Sequence, residues 1–131
     1  MRITERCRRL MPNGVPRWIR CYVNEAEANP FVVLYTGRYT HKTERQHLAV
    51  NCGRDPFWPQ GYCVHVETPV PLDSKRRPGR RIRFEDLPRE VKDVVLVDYV
   101  YLWDIGRRWE EPPSREEARG VAEGVRGSSE R

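Results

Sequence analysis

Four short segments in the first half of the chain have the hydrophobic patterns of β-strands. Residues 17–23 (RWIRCYV) are rich in aromatic and β-branched side chains. The continuous apolar run 31–36 (FVVLYT) fits a strand that is buried on both faces. Residues 47–51 and 62–67 complete the set, and the last segment alternates apolar and polar positions. Glycines and prolines punctuate these segments at close spacing, which predicts an antiparallel sheet with hairpin connections.

The second half contains one strong helical pattern, over residues 87–103. Asp86 is the expected N-cap, and Gly106 is a natural stop. The apolar positions that define one face at helical spacing are Val91, Val94, Val95 and Leu102. A weaker helix is predicted near residues 115–123, behind a capping-box pattern that begins at Ser114. Its few apolar side chains predict weak docking.

Together these elements predict an α+β fold. We expect a four- to five-stranded, mostly antiparallel sheet packed by one main helix, with a weak C-terminal helix. A length of 131 residues fits one folded domain. The predicted organisation is an N-terminal basic arm over residues 1–16, the α+β domain over 17–106, and an extension over 107–131 that is partly helical or disordered.

Composition narrows the class of protein. The mean hydropathy of -0.79 argues against a membrane protein. The N-terminal charges have no apolar core after them, which predicts the absence of a signal peptide and a cytoplasmic location. Arginine supplies 21 of the 24 basic residues, and glutamate and proline are also frequent. This composition is typical of thermophilic proteins, although a GC-rich genome would also favour arginine.

The formal net charge of +5 is unevenly distributed. Residues 75–83 carry six basic side chains and no acid, whereas residues 85–104 are mainly acidic. Prolines in the segment 68–83 predict a loop without regular structure. A second loop, 52–61, holds two aromatic residues between prolines and could present a rigid aromatic platform. Both loops have a plainer interpretation as solvated connections.

Binding explains this pattern better than catalysis does. Arginine and aromatic side chains are preferred in protein interfaces, and opposite charges at two places would steer a partner. The predicted partner-binding residues are Arg76, Arg77, Arg80, Arg81, Arg83, Phe57 and Trp58. The first alternative is a nucleic-acid-binding domain that uses the basic loop 75–83 for phosphates and the aromatic loop for bases. The oligomeric state stays open.

The sequence offers little for catalysis or metal binding. Cys63, His65 and Glu67 share one face of a predicted strand, with Cys52 and His47 on the preceding strand. These are zinc-ligand types, but their spacing matches no standard zinc module. We therefore predict no catalytic residue, metal or cofactor, and keep a metal-dependent enzyme or nucleotide-ligand binder as the second alternative. A reducing compartment would leave the four cysteines as thiols.

Three motifs resemble a family of small uncharacterised proteins from tailed phages and prophages. The motifs are RWIRCYVN, PFWPQGYCVH and GRRIRFEDLP, followed by a helix with DY and LW. The matching positions are Arg20, Cys21, Tyr22, Pro56, Phe57, Pro59, Gln60, Gly61, His65, Gly79, Arg81, Ile82, Phe84, Leu87, Pro88, Asp98, Tyr99, Leu102 and Trp103. The resemblance covers about residues 17–104. It departs from the family pattern at Trp58, where the family tends to have His, and at Cys63, where it tends to have Gly.

The resemblance implies a phage context rather than an activity. A small basic phage protein without catalytic residues is often a factor that redirects its host. The implied function is a non-enzymatic regulator that binds a host protein complex in the host cytoplasm. RNA polymerase is the candidate target, which would make the protein an inhibitor or modifier of host transcription.

Overall fold

The computed structural model describes residues 3–41, 46–57, 62–69 and 78–129. These residues form two compact units. Trp18–Val91 contains the sheet, and residues 1–17 with 92–131 form a helical unit. In the described part of the chain the strands are β1 (Ile19–Val23), β2 (Phe31–His41), β3 (Gln46–Cys52), β4 (Cys63–Pro69) and β5 (Arg80–Ile82). The helices are α1 (Glu5–Arg9), α2 (Arg89–Val100) and α3 (Arg115–Ser129).

The sheet is antiparallel throughout and has the strand order β4-β3-β2-β1-β5. The predicted α+β class and antiparallel sheet are therefore confirmed. β2 occupies the centre, as its continuous apolar run predicts, and Val33 and Leu34 on its two faces are both buried. Tyr22, Leu34 and Ala49 form a buried cluster on one face, where Val32 and Val66 pack against them.

The edge strand β5 corrects the prediction that residues 68–83 form a loop without regular structure. Residues 68–69 still belong to β4, and Arg80–Ile82 pair with β1. The local sequence has no strand pattern because two of these three residues are charged. Pairing with the backbone of β1 creates the strand. Residues 70–77 lie outside the described residues.

The main helix is shorter and more deeply buried than its pattern predicts. Residues 84–86 form a separate 3₁₀ turn, so Asp86 accepts from the Arg83 N–H instead of capping α2. α2 begins at Arg89, and every residue from 93 to 100 is buried. A helix that is buried around its whole circumference belongs in a core, and the apolar run 94–97 (VVLV) already indicates this.

The end of this helix confirms the predicted stop. Residues Tyr101–Ile105 widen into a π-helical turn, and Gly106 follows with a left-handed φ of 82°. The Gly106 N–H donates to the Tyr101 carbonyl, which closes the final wide turn. Glycine adopts this backbone conformation without steric cost.

In the helical unit, the described residues near both ends of the chain form ordered structure. Thr4 caps α1 by accepting from the Cys7 N–H, and Ile3, Cys7 and Met11 are buried. α3 runs to Ser129 through Gly120 and Gly124, beyond the predicted end at residue 123. The side chains that α3 buries are Ala118, Val121, Ala122 and Val125. This periodic apolar stripe explains why the helix docks despite its low apolar content.

Candidate functional site

The arginines of the predicted binding segment lie on the edge strand of the sheet. In β5, Arg81 pairs with Tyr22 and Arg80 with Val23. Both arginines are exposed, as is Arg83 directly after the strand. A three-residue edge strand with charged side chains is a common way to prevent unwanted strand addition. The same strand pairing fixes the backbone positions of Arg80 and Arg81.

Gly79 sets the entry of the chain into this edge strand. Its φ of 142° is a conformation that side chains rarely adopt. A Cβ at this position would lie 2.3 Å from the Val23 carbonyl oxygen and 2.9 Å from the Asn24 nitrogen. Only glycine allows the backbone to approach β1 this closely. The placement of Arg80 and Arg81 therefore depends on Gly79.

Arg20 and Arg81 project from the same face of the sheet. Directly paired residues of antiparallel strands share a face, so Arg81 lies on the face of Tyr22. Arg20 precedes Tyr22 by two positions in β1 and shares that face as well. Both arginines are exposed. We call Arg20, Arg80, Arg81 and Arg83 the arginine edge.

Acidic side chains are interspersed along the arginine edge. Arg80 pairs with Glu25 at 3.4 Å, and Arg83 pairs with Asp86 at 3.5 Å. The Arg83 N–H also donates to Asp86, and the backbone and guanidinium of Arg83 lower the pKa of the Asp86 carboxyl. All four side chains are largely exposed, so these pairs add little stability. They give this surface a mixed charge.

Trp18 is an exposed residue that the sequence patterns did not single out. It lies just before β1, its side chain is 52% exposed, and its φ is 57°. Such a conformation costs a non-glycine residue free energy and often occurs at functional sites. The Thr36 N–H holds it by donating to the Trp18 carbonyl at 2.7 Å. The sequence pattern predicts a strand over residues 17–23, which includes Trp18. A strand pattern does not say which of its side chains are exposed, so the exposure of Trp18 is visible only in the tertiary structure.

The predicted aromatic loop is only partly described. Trp58 lies outside the described residues, as do Arg76 and Arg77. Phe57 is half-buried, and its N–H donates to the Asp55 carboxylate at 3.1 Å. The Asp55 turn orders this loop locally. Of the predicted binding residues in the described chain, the exposed ones are Arg80, Arg81 and Arg83.

The acidic segment 85–104 does not form a continuous exposed acidic face. Asp93 and Asp98 are buried to 99% or more. Asp104 is bound to the backbone N–H and hydroxyl of Thr4 in the helical unit. Burial removes the Asp93 and Asp98 carboxylates from long-range steering of a partner. This corrects the expectation, drawn from charge alone, that the main helix presents an acidic surface.

Strand pairing leaves Cys52, Cys63, His65 and Glu67 on one face of the sheet and puts His47 on the other. Cys52 and Cys63 are direct partners, and His65 lies two positions along β4 on the same face. His47 lies on the opposite face, because it precedes Cys52 by five positions in β3 and side chains alternate between the faces. Burial and the nearby Arg20 lower the pKa of His47. Within the described residues, no three His, Cys, Asp or Glu side chains are arranged to hold a metal ion.

Two clefts border the sheet. One, of about 540 Å³, lies beside β5 and combines apolar residues with Arg54, Arg80, Glu25 and Asp86. The other, of about 400 Å³, is lined by Val32, Asn51 and Val66 of the sheet and by Asn24 and Asn29 of the β1–β2 loop. The register places this second cleft on the sheet face that carries Arg20 and Arg81.

Comparison of the chain with protein-family models, with curated proteins and with solved structures finds no match. None of the helices in residues 3–41, 46–57, 62–69 and 78–129 combines the length and apolar character that a membrane crossing needs. The geometry of the sheet edge is therefore the main evidence on function.

Proposed function

We propose that this protein is a non-enzymatic regulator of the tailed-phage type that binds a host protein complex through the arginine edge. Its candidate target is RNA polymerase, and its site of action is then the host cytoplasm. The observation that carries the proposal is the fixed exposure of Arg20 and Arg81 on one face of the sheet. Strand pairing fixes the backbone at both positions, and the planar guanidinium group matches a carboxylate through two parallel hydrogen bonds.

Two further features favour a protein partner. The acids beside Arg80 and Arg83 would repel a phosphate backbone but can pair with basic side chains of a protein. Trp18 supplies a large exposed side chain of the kind that dominates interface energies. A partner with an acidic patch and an apolar pocket fits this surface.

Binding to purified bacterial RNA polymerase tests the proposal. Biolayer interferometry with immobilised full-length protein should give a saturable signal, and Arg81→Glu should weaken binding at least tenfold by placing like charges in contact. Arg9→Glu is the matched control, because Arg9 is an exposed arginine of α1. No binding by the wild type, or equal losses in both variants, would contradict the proposal.

Nucleic-acid binding is the second candidate, and one observation favours it. The cleft lined by Asn24, Asn29 and Asn51 shares a face with Arg20 and Arg81. The Asn51 side-chain nitrogen donates to the Asn29 and Phe31 carbonyls, so its Oδ1 is the atom that would accept from a base, while the arginines match phosphates. This candidate predicts that affinity for a single-stranded oligonucleotide falls steeply with salt and that Arg20→Glu weakens it. A flat salt response would reject this candidate while leaving protein binding open.

A further inference from the structure

Cys52 and Cys63 form a direct cross-strand pair at the base of the β3–β4 hairpin. Their Sγ atoms are 3.9 Å apart. The Gly53 N–H donates to the Tyr62 carbonyl, so residues 53 and 62 form a hydrogen-bonded pair. Pairs alternate along antiparallel strands, which makes Cys52 and Cys63 a non-hydrogen-bonded pair with an expected Cα separation of about 4.5 Å. That separation lies within the range of about 4.4–6.8 Å that disulfides span.

We propose that Cys52 and Cys63 are a redox modification site that forms a reversible disulfide by exchange with a low-molecular-weight disulfide. The sulfur atoms need only approach from 3.9 Å to about 2.05 Å, which side-chain rotation can provide because the backbone spacing already fits. Cys63 is 9% exposed and Cys52 is 1% exposed, so Cys63 reacts first.

The exchange proceeds in two balanced steps. The Cys63 thiolate attacks one sulfur of oxidised glutathione, which forms a mixed disulfide and releases one glutathione thiolate. The Cys52 thiolate then attacks the Cys63 sulfur, and the second glutathione thiolate leaves. The protein loses two electrons and two protons, and oxidised glutathione is reduced to two thiols. A reducing glutathione pool reverses both steps.

The other two cysteines provide an internal contrast. Cys21 lies in β1, two strands away from Cys52 in β3, a distance of about 10 Å at the usual strand spacing. Cys7 lies in α1 of the helical unit. Burial raises the pKa of both thiols to about 12. Neither thiol forms a thiolate readily at neutral pH, so oxidation should be selective for the Cys52–Cys63 pair.

Redox equilibration of the full-length protein tests this proposal. The folded, reduced protein is equilibrated in buffers of increasing oxidised-to-reduced glutathione ratio, so that Cys7 and Cys21 stay buried throughout. Free thiols are then alkylated in denaturant, and the linked peptides are identified by mass spectrometry. We expect one intramolecular link, Cys52–Cys63, with Cys7 and Cys21 fully alkylated.

Two cysteine variants test independently whether Cys52 and Cys63 are the residues that form the disulfide. The double variant Cys7→Ser/Cys21→Ser should form the link at the same glutathione ratio as the wild type. Cys52→Ser should stop at a mixed disulfide on Cys63, because the second attack has no thiol. The proposal fails if all four cysteines are alkylated at every ratio, if the wild type stops at the mixed disulfide, or if the link involves Cys7 or Cys21.

Discussion

Arg126 of α3 donates a hydrogen bond to Asp93 of α2, with 3.0 Å between Nη2 and Oδ1. The Asp93 side chain is only 2% exposed, whereas the Arg126 side chain is 35% exposed. A carboxylate that is removed from water needs a charged or hydrogen-bonding partner. This pair therefore fixes the C-terminal helix within the helical unit.

Removing the Arg126 guanidinium should destabilise the protein, because the buried Asp93 carboxylate would lose its charged partner. We expect Arg126→Met to lower the free energy of unfolding by about 3 kcal/mol, because it leaves a buried carboxylate without its cationic partner. Chemical denaturation measures the loss. Arg107→Met is the matched control, since the Arg107–Glu110 pair is exposed on both sides and should contribute little. Equal losses in the two variants would show that the Asp93–Arg126 pair is not structural.

Gly79→Ala should disrupt the edge strand. The new Cβ would clash with the Val23 carbonyl, and the φ of 142° is strained for alanine. We expect a loss of roughly 2–3 kcal/mol and faster amide exchange in β5. Gly120→Ala is a control with the opposite sign: nothing lies within 4 Å of its added Cβ in α3. It should stabilise the protein by about 0.5–1 kcal/mol. An unchanged β5 in Gly79→Ala would refute the role of Gly79.

His47 should make stability dependent on pH. Burial, aided by Arg20, lowers its pKa in the folded state below the ordinary value of 6.5. The unfolded chain therefore takes up a proton first as the pH falls through 6.5, and the free energy of unfolding decreases until the folded-state pKa is reached. Denaturation midpoints between pH 7.5 and 5 measure this (roughly the range in which histidine titrates).

His47→Gln provides the comparison, because glutamine is polar but does not titrate in this range. The wild type should lose more stability than the variant on acidification. Above pH 7, where His47 is neutral in both states, the difference between the two proteins should become constant. Parallel pH profiles over the whole range would rule out this contribution of His47.

Tyr99 should be important for the N-terminal segment. Its hydroxyl donates to the Arg17 carbonyl at 2.9 Å, with the Leu10 carbonyl at 3.5 Å, and the ring is buried. Tyr99→Phe leaves a carbonyl without this donor and should cost about 1–2 kcal/mol. Tyr62→Phe, at a residue that is 36% exposed, should cost much less. If Tyr99→Phe left the free energy of unfolding unchanged, the hydrogen bonds of the Tyr99 hydroxyl would not contribute to stability.

Elements with their own apolar periodicity could be predicted from the sequence, whereas elements that depend on pairing with another segment could not. The strands β1 to β4 and the helix α2 were predictable because their apolar residues follow the strand and helix periods. β5 was not, since Arg80–Ile82 is a strand only through pairing with β1. α3 extends past its predicted end because its apolar stripe, not its glycine content, decides its docking.

The candidate site was predictable only in part. The density of arginine near residues 80–83 is visible in the sequence, and the structure places these residues on an exposed edge. Arg20 and Trp18 stand in a segment that reads simply as a strand. Their exposure depends on the register with β5 and on a positive φ, which no local pattern encodes.

The amino-acid order alone determined the α+β class, the central position of β2 and the arginine-rich segment, because apolar periodicity and charge are local properties. Tertiary structure decided which acids are buried, which arginines share a face, and that Cys52 meets Cys63. Each of these depends on strand register and helix packing between residues that are distant in the chain.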